Sequence, residues 1–274
     1  MSASNRPAKH RRKPRLYKRK SLLFAVSLTC LALGIAYAVL NTGPLVTDQV
    51  SPKATIIDQL RWSFPNTTFW FSANNMFNES GWRVYYYGAA SDTVDFYRAL
   101  PEKGFKIIIL RVHAALNPAT GTLALFTSEK WEDWKATTDY INDFDVVNPL
   151  NNKLAKVRLN ETSEAYFGLT PSFVKAMQGD FQDAVIIMMG CDALANTKMA
   201  EAFIQKGAKA YIGWTGPVSA PHTDAATQQL LKHLISEKKN IGTAVTETLD
   251  EVGNDPDFGS TIAYYPLEAN EYAP

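Results

Sequence analysis

Cysteine is scarce in this chain. Of its 274 residues only Cys30 and Cys191 carry a thiol. Cys30 falls within an apolar segment, so no disulfide framework is available to staple the fold. No Cys/His cluster has the spacing of zinc ligands, and Asp143-Phe144-Asp145 does not extend into a calcium loop. A Gly-x-Ser-x-Gly elbow and a Gly-rich phosphate loop are both missing. No metal and no cofactor are therefore expected. No internal repeat or low-complexity stretch occurs beyond a basic block at the amino end.

That block removes most of the positive charge from the rest of the chain. Residues 1–20 hold nine Lys or Arg and no acid, leaving 19 of the 28 basic residues against all 27 acidic ones, a net of −8. An acidic body lacks the basic footprint a phosphate backbone needs, which argues against nucleic acid as a partner.

What the chain has in quantity is apolar sequence, 46% of its residues, enough for one sizeable globular domain. Ser21 to Leu40 is uncharged over twenty residues. Its length predicts a membrane-spanning anchor, and Tyr37-Ala38-Val39-Leu40 is a poor cleavage site for the rival signal-peptide reading. With the basic tail before it, the positive-inside rule puts the amino terminus in the cytoplasm and the remainder in an extracytoplasmic position. The expected organisation is a basic tail (1–20), an anchor (21–40), a linker (41–53) and an α/β domain (54–274). Asn66, Asn78 and Asn160 head glycosylation-type triplets, a pattern common by chance.

Strand and helix signals alternate through that domain. Ala54 to Leu60 and Trp82 to Tyr87 have strand character. Asn66 to Glu79, polar and aromatic, reads as a loop or short helix. Ser91 can cap a helix bearing Val94, Tyr97 and Leu100, which Pro101 ends. Lys106 to Val112 is a strongly apolar strand, and Thr122 to Thr127 a hairpin partner after the turn at 117–121. Residues 129–165 read as an insertion or a set of loops, with a short helix at Trp131 to Tyr140. Thr170-Pro171 starts a further helix. Val185 to Met189 has no polar break and reads as a strand buried on both faces. A helix then starts near Asn196 or Thr197 and ends at Gly207, and Ala208 to Gly213 forms the next strand. Helices over 224–235 and 241–249 and a last strand over 261–265 complete the pattern. The fold class expected is a three-layer α/β sandwich with a mostly parallel central sheet.

Two strong strands each run into a reactive residue, Lys106–Val112 into His113 and Val185–Met189 into Gly190-Cys191. If they are parallel neighbours, both side chains emerge on one rim of the sheet, where ligands bind in open α/β folds. There an imidazole can take the thiol proton, since the thiolate is the attacking species. The backbone N–H groups of Cys191 and Ala114 are candidate oxyanion donors. Asp192, Trp214 and Asp224 are substrate-binding candidates, the two acids favouring a basic side chain. The plainer readings are a buried apolar Cys191, a structural His113 and an Asp224 that caps a helix. His233, among helix leucines, reads as structural.

Strand–His, strand–Cys, helix, strand–Gly-Trp in that order resembles the caspase-like fold shared by caspases, gingipains, legumains, separases and CHAT-domain peptidases. The resemblance runs from about Trp82 to Leu249, with Ala200-Glu201-Ala202-Phe203 and Gly207-Ala208-Lys209-Ala210-Tyr211-Ile212-Gly213-Trp214 as its most family-like wording. It implies a cysteine endopeptidase in which His113 is the general base or acid and Cys191 attacks a peptide carbonyl, with a polypeptide as substrate. Two positions depart from the family. Ala114 stands where Gly usually follows the His, and Gly190 where Ala often precedes the Cys. A domain that binds a peptide or partner protein without catalysis is the alternative.

Overall fold

A computed structural model describes residues 51–274. Six strands form the main sheet: β1 (Lys53–Asp58), β2 (Arg83–Gly88), β3 (Ile107–Arg111), β8 (Val185–Met188), β9 (Ala210–Trp214) and β10 (Ile262–Tyr265). Their spatial order is β10-β9-β8-β3-β1-β2. All neighbouring pairs are parallel except β9 with β10. The chain is thus mixed α/β with a mostly parallel central sheet.

The apolar runs build this sheet because both of its faces are covered. In β3, Ile107 and Ile109 join one core, while Ile108 and Leu110 join the other. Val185 and Ile187 of β8 divide from Ile186 and Met188 in the same way. One face carries α1 (Thr67–Glu79), α6 (Ala220–Leu231) and α7 (Ile241–Val252). The opposite face carries α2 (Val94–Arg98), α4 (Pro171–Ala176) and α5 (Lys198–Gln205). β2 leaves β1 on one side and β3 on the other, so the connections reverse direction between β1 and β3. Crevices at such reversals open at the carboxyl ends of the strands.

Several local expectations change. Asn66 to Glu79 is neither loop nor short helix. Asn66 caps a 13-residue helix, accepting from Phe69 N–H at 3.0 Å, and Phe69, Ala73 and Phe77 recur every four residues on its buried face. The cap of α2 is Thr93 instead of Ser91. Asp224 does not cap α6, because Pro221 and Ser219 begin that helix one turn earlier. The hairpin over 114–127 belongs to a second, antiparallel sheet, β4-β5-β7-β6, made of β4 (Ala114–Asn117), β5 (Thr122–Lys130), β6 (Leu154–Val157) and β7 (Tyr166–Leu169). The segment 129–165 therefore holds a strand as well as the short α3 (Asp133–Thr137).

The membrane expectation is corrected. No helix among the described residues is long and apolar enough to cross a membrane. The longest, α1, has 13 residues, against about 20 needed to span a bilayer core. Residues 21–40 lie outside the described residues, and the anchor with its cytoplasmic tail and extracytoplasmic domain has no support in the structure.

One buried acid makes stability depend on pH. Asp92, between β2 and α2, is fully buried. Burial pushes its carboxyl up to about 7, although contacts from Tyr97 and Ser128 oppose the shift. A raised native value means that its stabilising contribution is complete below the unfolded pKa and is lost as pH rises through about 7. The wild type should lose up to roughly 4 kcal/mol from this group between acidic and neutral pH. Asp92→Asn should be free of that loss. Urea midpoints of both proteins across the range test this, and a constant difference between them would refute it.

Candidate functional site

The site begins with an arginine inside a strand. Arg111 ends β3 at 1% exposure, on a sheet face where a charge is tolerable only if fully paired. Its Nε and Nη2 donate to the two carboxylate oxygens of Asp224 on α6, at 2.7 and 2.9 Å. Nη1 donates to Asp58 at the end of β1, at 2.7 Å, and Nη2 also donates to Phe64 O, at 2.7 Å. Asn66 Nδ2 donates to Asp224 at 2.8 Å and Tyr86 OH to Asp58 at 2.9 Å. Burial opposes the guanidinium charge, but the contacts with Asp224 and Asp58 outweigh it and raise the Arg111 pKa. Four separate pieces of chain are fixed in this way: β1, the 58–66 connection, β3 and α6.

Two residues further on stands His113. β3 and β8 are parallel neighbours with Leu110 opposite Met188, and Met189 N–H still donates to Leu110 O at 2.9 Å. That register carried forward sets Val112 against Gly190 and His113 against Cys191. The approach is close at Gly190, where a Cβ would stand 2.4 Å from Val112 O and 3.5 Å from the Ala114 methyl. Gly190 is thus required by the strand contact.

His113 and Cys191 line one cavity of about 310 Å³, with Leu60, Phe64, Val218 and Phe258 among its walls. On its other side His113 also lines a second cavity of about 380 Å³, walled by Trp62, Phe126, Lys130 and Tyr166. The ring packs edge-on between Phe64 and Phe126, with centroids at 6.0 and 5.8 Å. Its Nε2 is 3.5 Å from Ser63 Oγ, and its backbone N–H donates to Gln59 at 3.0 Å. The half-buried thiol contacts Val218, donating to its carbonyl at 3.6 Å and accepting from its N–H at 3.5 Å. No hydrogen bond joins Cys191 to His113 among the described residues.

Electrostatics keep both groups neutral at rest. Burial, followed by the Arg111 charge, lowers the imidazole pKa. Burial also raises the thiol, more than the Val218 N–H holds it down. Both shifts favour the thiol and the free imidazole over a thiolate and an imidazolium. Ala114 begins edge strand β4. Because Phe126 N–H donates to His113 O at 2.9 Å, the Ala114–Leu125 pair is a non-hydrogen-bonded one, and the Ala114 N–H points away from β5.

The three substrate-binding candidates fall elsewhere. Asp224 is buried and spent on Arg111. Trp214 is buried and donates its indole N–H to Thr223 at 2.9 Å. Asp192 takes a left-handed φ of 57°, its N–H donating to Gly216 O at 2.9 Å. None of the three lines the Cys191 cavity, whose carboxylate is Asp257. The loop carrying Asp257 is held by buried Asp255, which accepts from Ser219 N–H and from the Asp257 and Phe258 N–H groups, each at 2.9 Å. Arg111 carries a signal in the sequence, since a charge closing a run of buried isoleucines demands ionic partners. Ser63, Phe64 and Asp255 carried no comparable signal.

No protein-family model and no curated protein matches the sequence. Among solved structures, the chain is similar to the Arg-specific cysteine proteinase gingipain R, at 11% identity and a TM-score of 0.43, over 80% of this chain and 44% of that one. The chain thus spans less than half the length of that protein.

Two substitutions test the geometry. Arg111→Ala leaves Asp58 and Asp224 buried without their cation and should cost about 3–5 kcal/mol, read from the urea midpoint. Gly190→Ala forces Val112 and the new methyl apart and should cost about 1–3 kcal/mol. An unchanged midpoint for Gly190→Ala would mean that the two strand ends are not in contact.

Proposed function

We propose that the domain is a caspase-like cysteine peptidase acting on polypeptides. The observation that carries this reading is that His113 and Cys191, which follow the parallel neighbours β3 and β8, line one cavity beyond the carboxyl ends of those strands. A second support is the pair of cavities on either side of His113, which gives an extended chain room on both sides of the reacting bond.

In this reading His113 acts as a general base with its lone pair free at neutral pH. As Cys191 Sγ attacks the peptide carbonyl carbon, the thiol proton passes to the imidazole. The new S–C bond places negative charge on the carbonyl oxygen, where the N–H groups of Cys191 and Ala114 are the candidate donors. Cleavage of the C–N bond releases the amine with the proton from His113. Water, deprotonated by the same imidazole, then attacks the thioester carbonyl, and the departing sulfur takes the proton back. The absence of a resting Cys–His hydrogen bond is compatible with this, since catalytic contacts commonly tighten only with substrate bound. The apolar walls Leu60, Phe64 and Phe258 favour a large apolar side chain in the cavity, and Asp257 at its edge favours a basic group beside it.

A second reading has its own observation. Val218 engages the thiol and Ser63 stands nearest to His113 Nε2, an arrangement that suits a groove binding a peptide without cleaving it.

Hydrolysis of a fluorogenic peptide library separates the two. The peptidase reading expects turnover that disappears in Cys191→Ser and falls roughly 10²–10⁴-fold in His113→Ala. Peptides that bind both wild type and Cys191→Ser, with no turnover by either, would sink the peptidase reading and establish the binding one.

A further inference from the structure

A second group of reactive side chains lies at the far end of α6 from Cys191. There α6 gives way to a π-helical turn, Lys232–Ser236, a distortion that is uncommon and frequent at functional sites. The turn carries His233, only 1% exposed. Its Nδ1 lies 2.8 Å from Glu237 Oε2 and 3.4 Å from Glu247 Oε2 on α7. One donor atom from each of the three residues falls within 4.8 Å of the others. Two lysines attend the cluster. The Lys239 ammonium is 2.5 Å from Glu237, touches Glu247 and is 3.5 Å from Nδ1. Lys232 Nζ is 3.7 Å from Glu237 and 3.8 Å from Glu251.

The buried ring is only half satisfied. Nδ1 faces the Glu237 and Glu247 carboxylates. Nε2 has no hydrogen-bond partner among the described residues, and the group facing it is Glu251 Oε1 at 3.5 Å. We propose that His233 Nδ1, Glu237 and Glu247 form a binding site for a divalent transition-metal cation, with zinc the best fit, and that Glu251 is the outer partner of the imidazole.

With a metal on Nδ1 the proton of the neutral ring sits on Nε2, where Glu251 can accept it. The orphaned atom is thereby satisfied in the carboxylate–histidine–metal arrangement that orients such ligands. Zinc–ligand bonds of about 2.0–2.1 Å set tetrahedral donors about 3.3 Å apart. The observed 2.8 and 3.4 Å separations straddle that figure. The cation would displace the Lys239 ammonium and leave a fourth position for water. Solvent reaches the site, since the side chains of Glu237, Glu247 and Glu251 are about a third or more exposed. Bound there, the metal joins the end of α6 to α7. The first turn of α6 lines the Cys191 cavity, and Asp224 in α6 holds Arg111.

The test is a titration of ZnCl₂ into the full chain after EDTA treatment and dialysis, followed by calorimetry. Wild type and Cys191→Ser should each bind one equivalent at this site, and Glu247→Gln should lose it. Glu247 is partly exposed, so this variant is expected to fold, as circular dichroism would verify. Glu251→Gln should weaken binding about 10–100-fold, and Lys239→Ala should tighten it by removing the competing cation. Binding that survives in Glu247→Gln, or that vanishes in Cys191→Ser, would overturn the proposal. So would a Lys239→Ala protein that binds no zinc and melts earlier than wild type, as a plain ion-pair network requires.

Discussion

A single buried guanidinium holds the working end of this domain together. Arg111 is buried from solvent, so its charge is tolerable only because Asp58 and Asp224 stand at 2.7 Å and Phe64 O completes the set of acceptors. Each partner belongs to a different piece of chain: β1, the 58–66 connection and α6. Asp224 fixes the first turns of α6, Phe64 O sets the ring that packs on His113, and Asp58 joins the adjacent strand end. The interaction also sits where the sheet connections reverse direction, between β1 and β3.

The same charge shapes the chemistry beside it. Burial, and then the cation two residues before His113, disfavours a positive charge on the imidazole. Burial likewise disfavours a thiolate. Both shifts favour the neutral forms of the two groups that line the cavity. The cavity around the two groups is walled mainly by apolar side chains such as Leu60, Phe64 and Phe258, with Asp257 as its carboxylate. Gly190 belongs to the same economy of space. Neighbouring strand ends can converge on one cavity only where the residue before the thiol has no side chain.

The second sheet explains why the far side of His113 is walled. β5 places Phe126 against the imidazole, and Tyr166 at the start of β7 closes the adjoining cavity. The sheet packs its inward residues, such as Leu123, Leu125, Phe167 and Leu169, into the core under α2, α4 and α5. The histidine ring is therefore held between Phe126 of the second sheet and Phe64 of the 58–66 connection.

The sequence by itself determined the parallel sheet. Long apolar runs such as Ile107–Leu110 and Val185–Met189 can be satisfied only by burial on both faces, and the helix signals between them, with caps at Thr170 and Gly207, supply the cover. It also determined that His113 and Cys191 follow such strands, because local pattern alone marks where a strand stops. The helix at Asn66 was less legible, since its apolar residues are diluted by Ser72, Asn74 and Asn75 on the opposite face. The strand β6 was hidden for a similar reason. Only Leu154 and Val157 of its four residues are buried, too few to show a period. Only the tertiary structure decided which strands are neighbours, that Asp224 faces Arg111 instead of a ligand, and that Asp257 reaches the cavity. These are pairings between residues 30 to more than 100 positions apart. They depend on how charges and surfaces are shared out once the chain is compact, and no local period records that distribution.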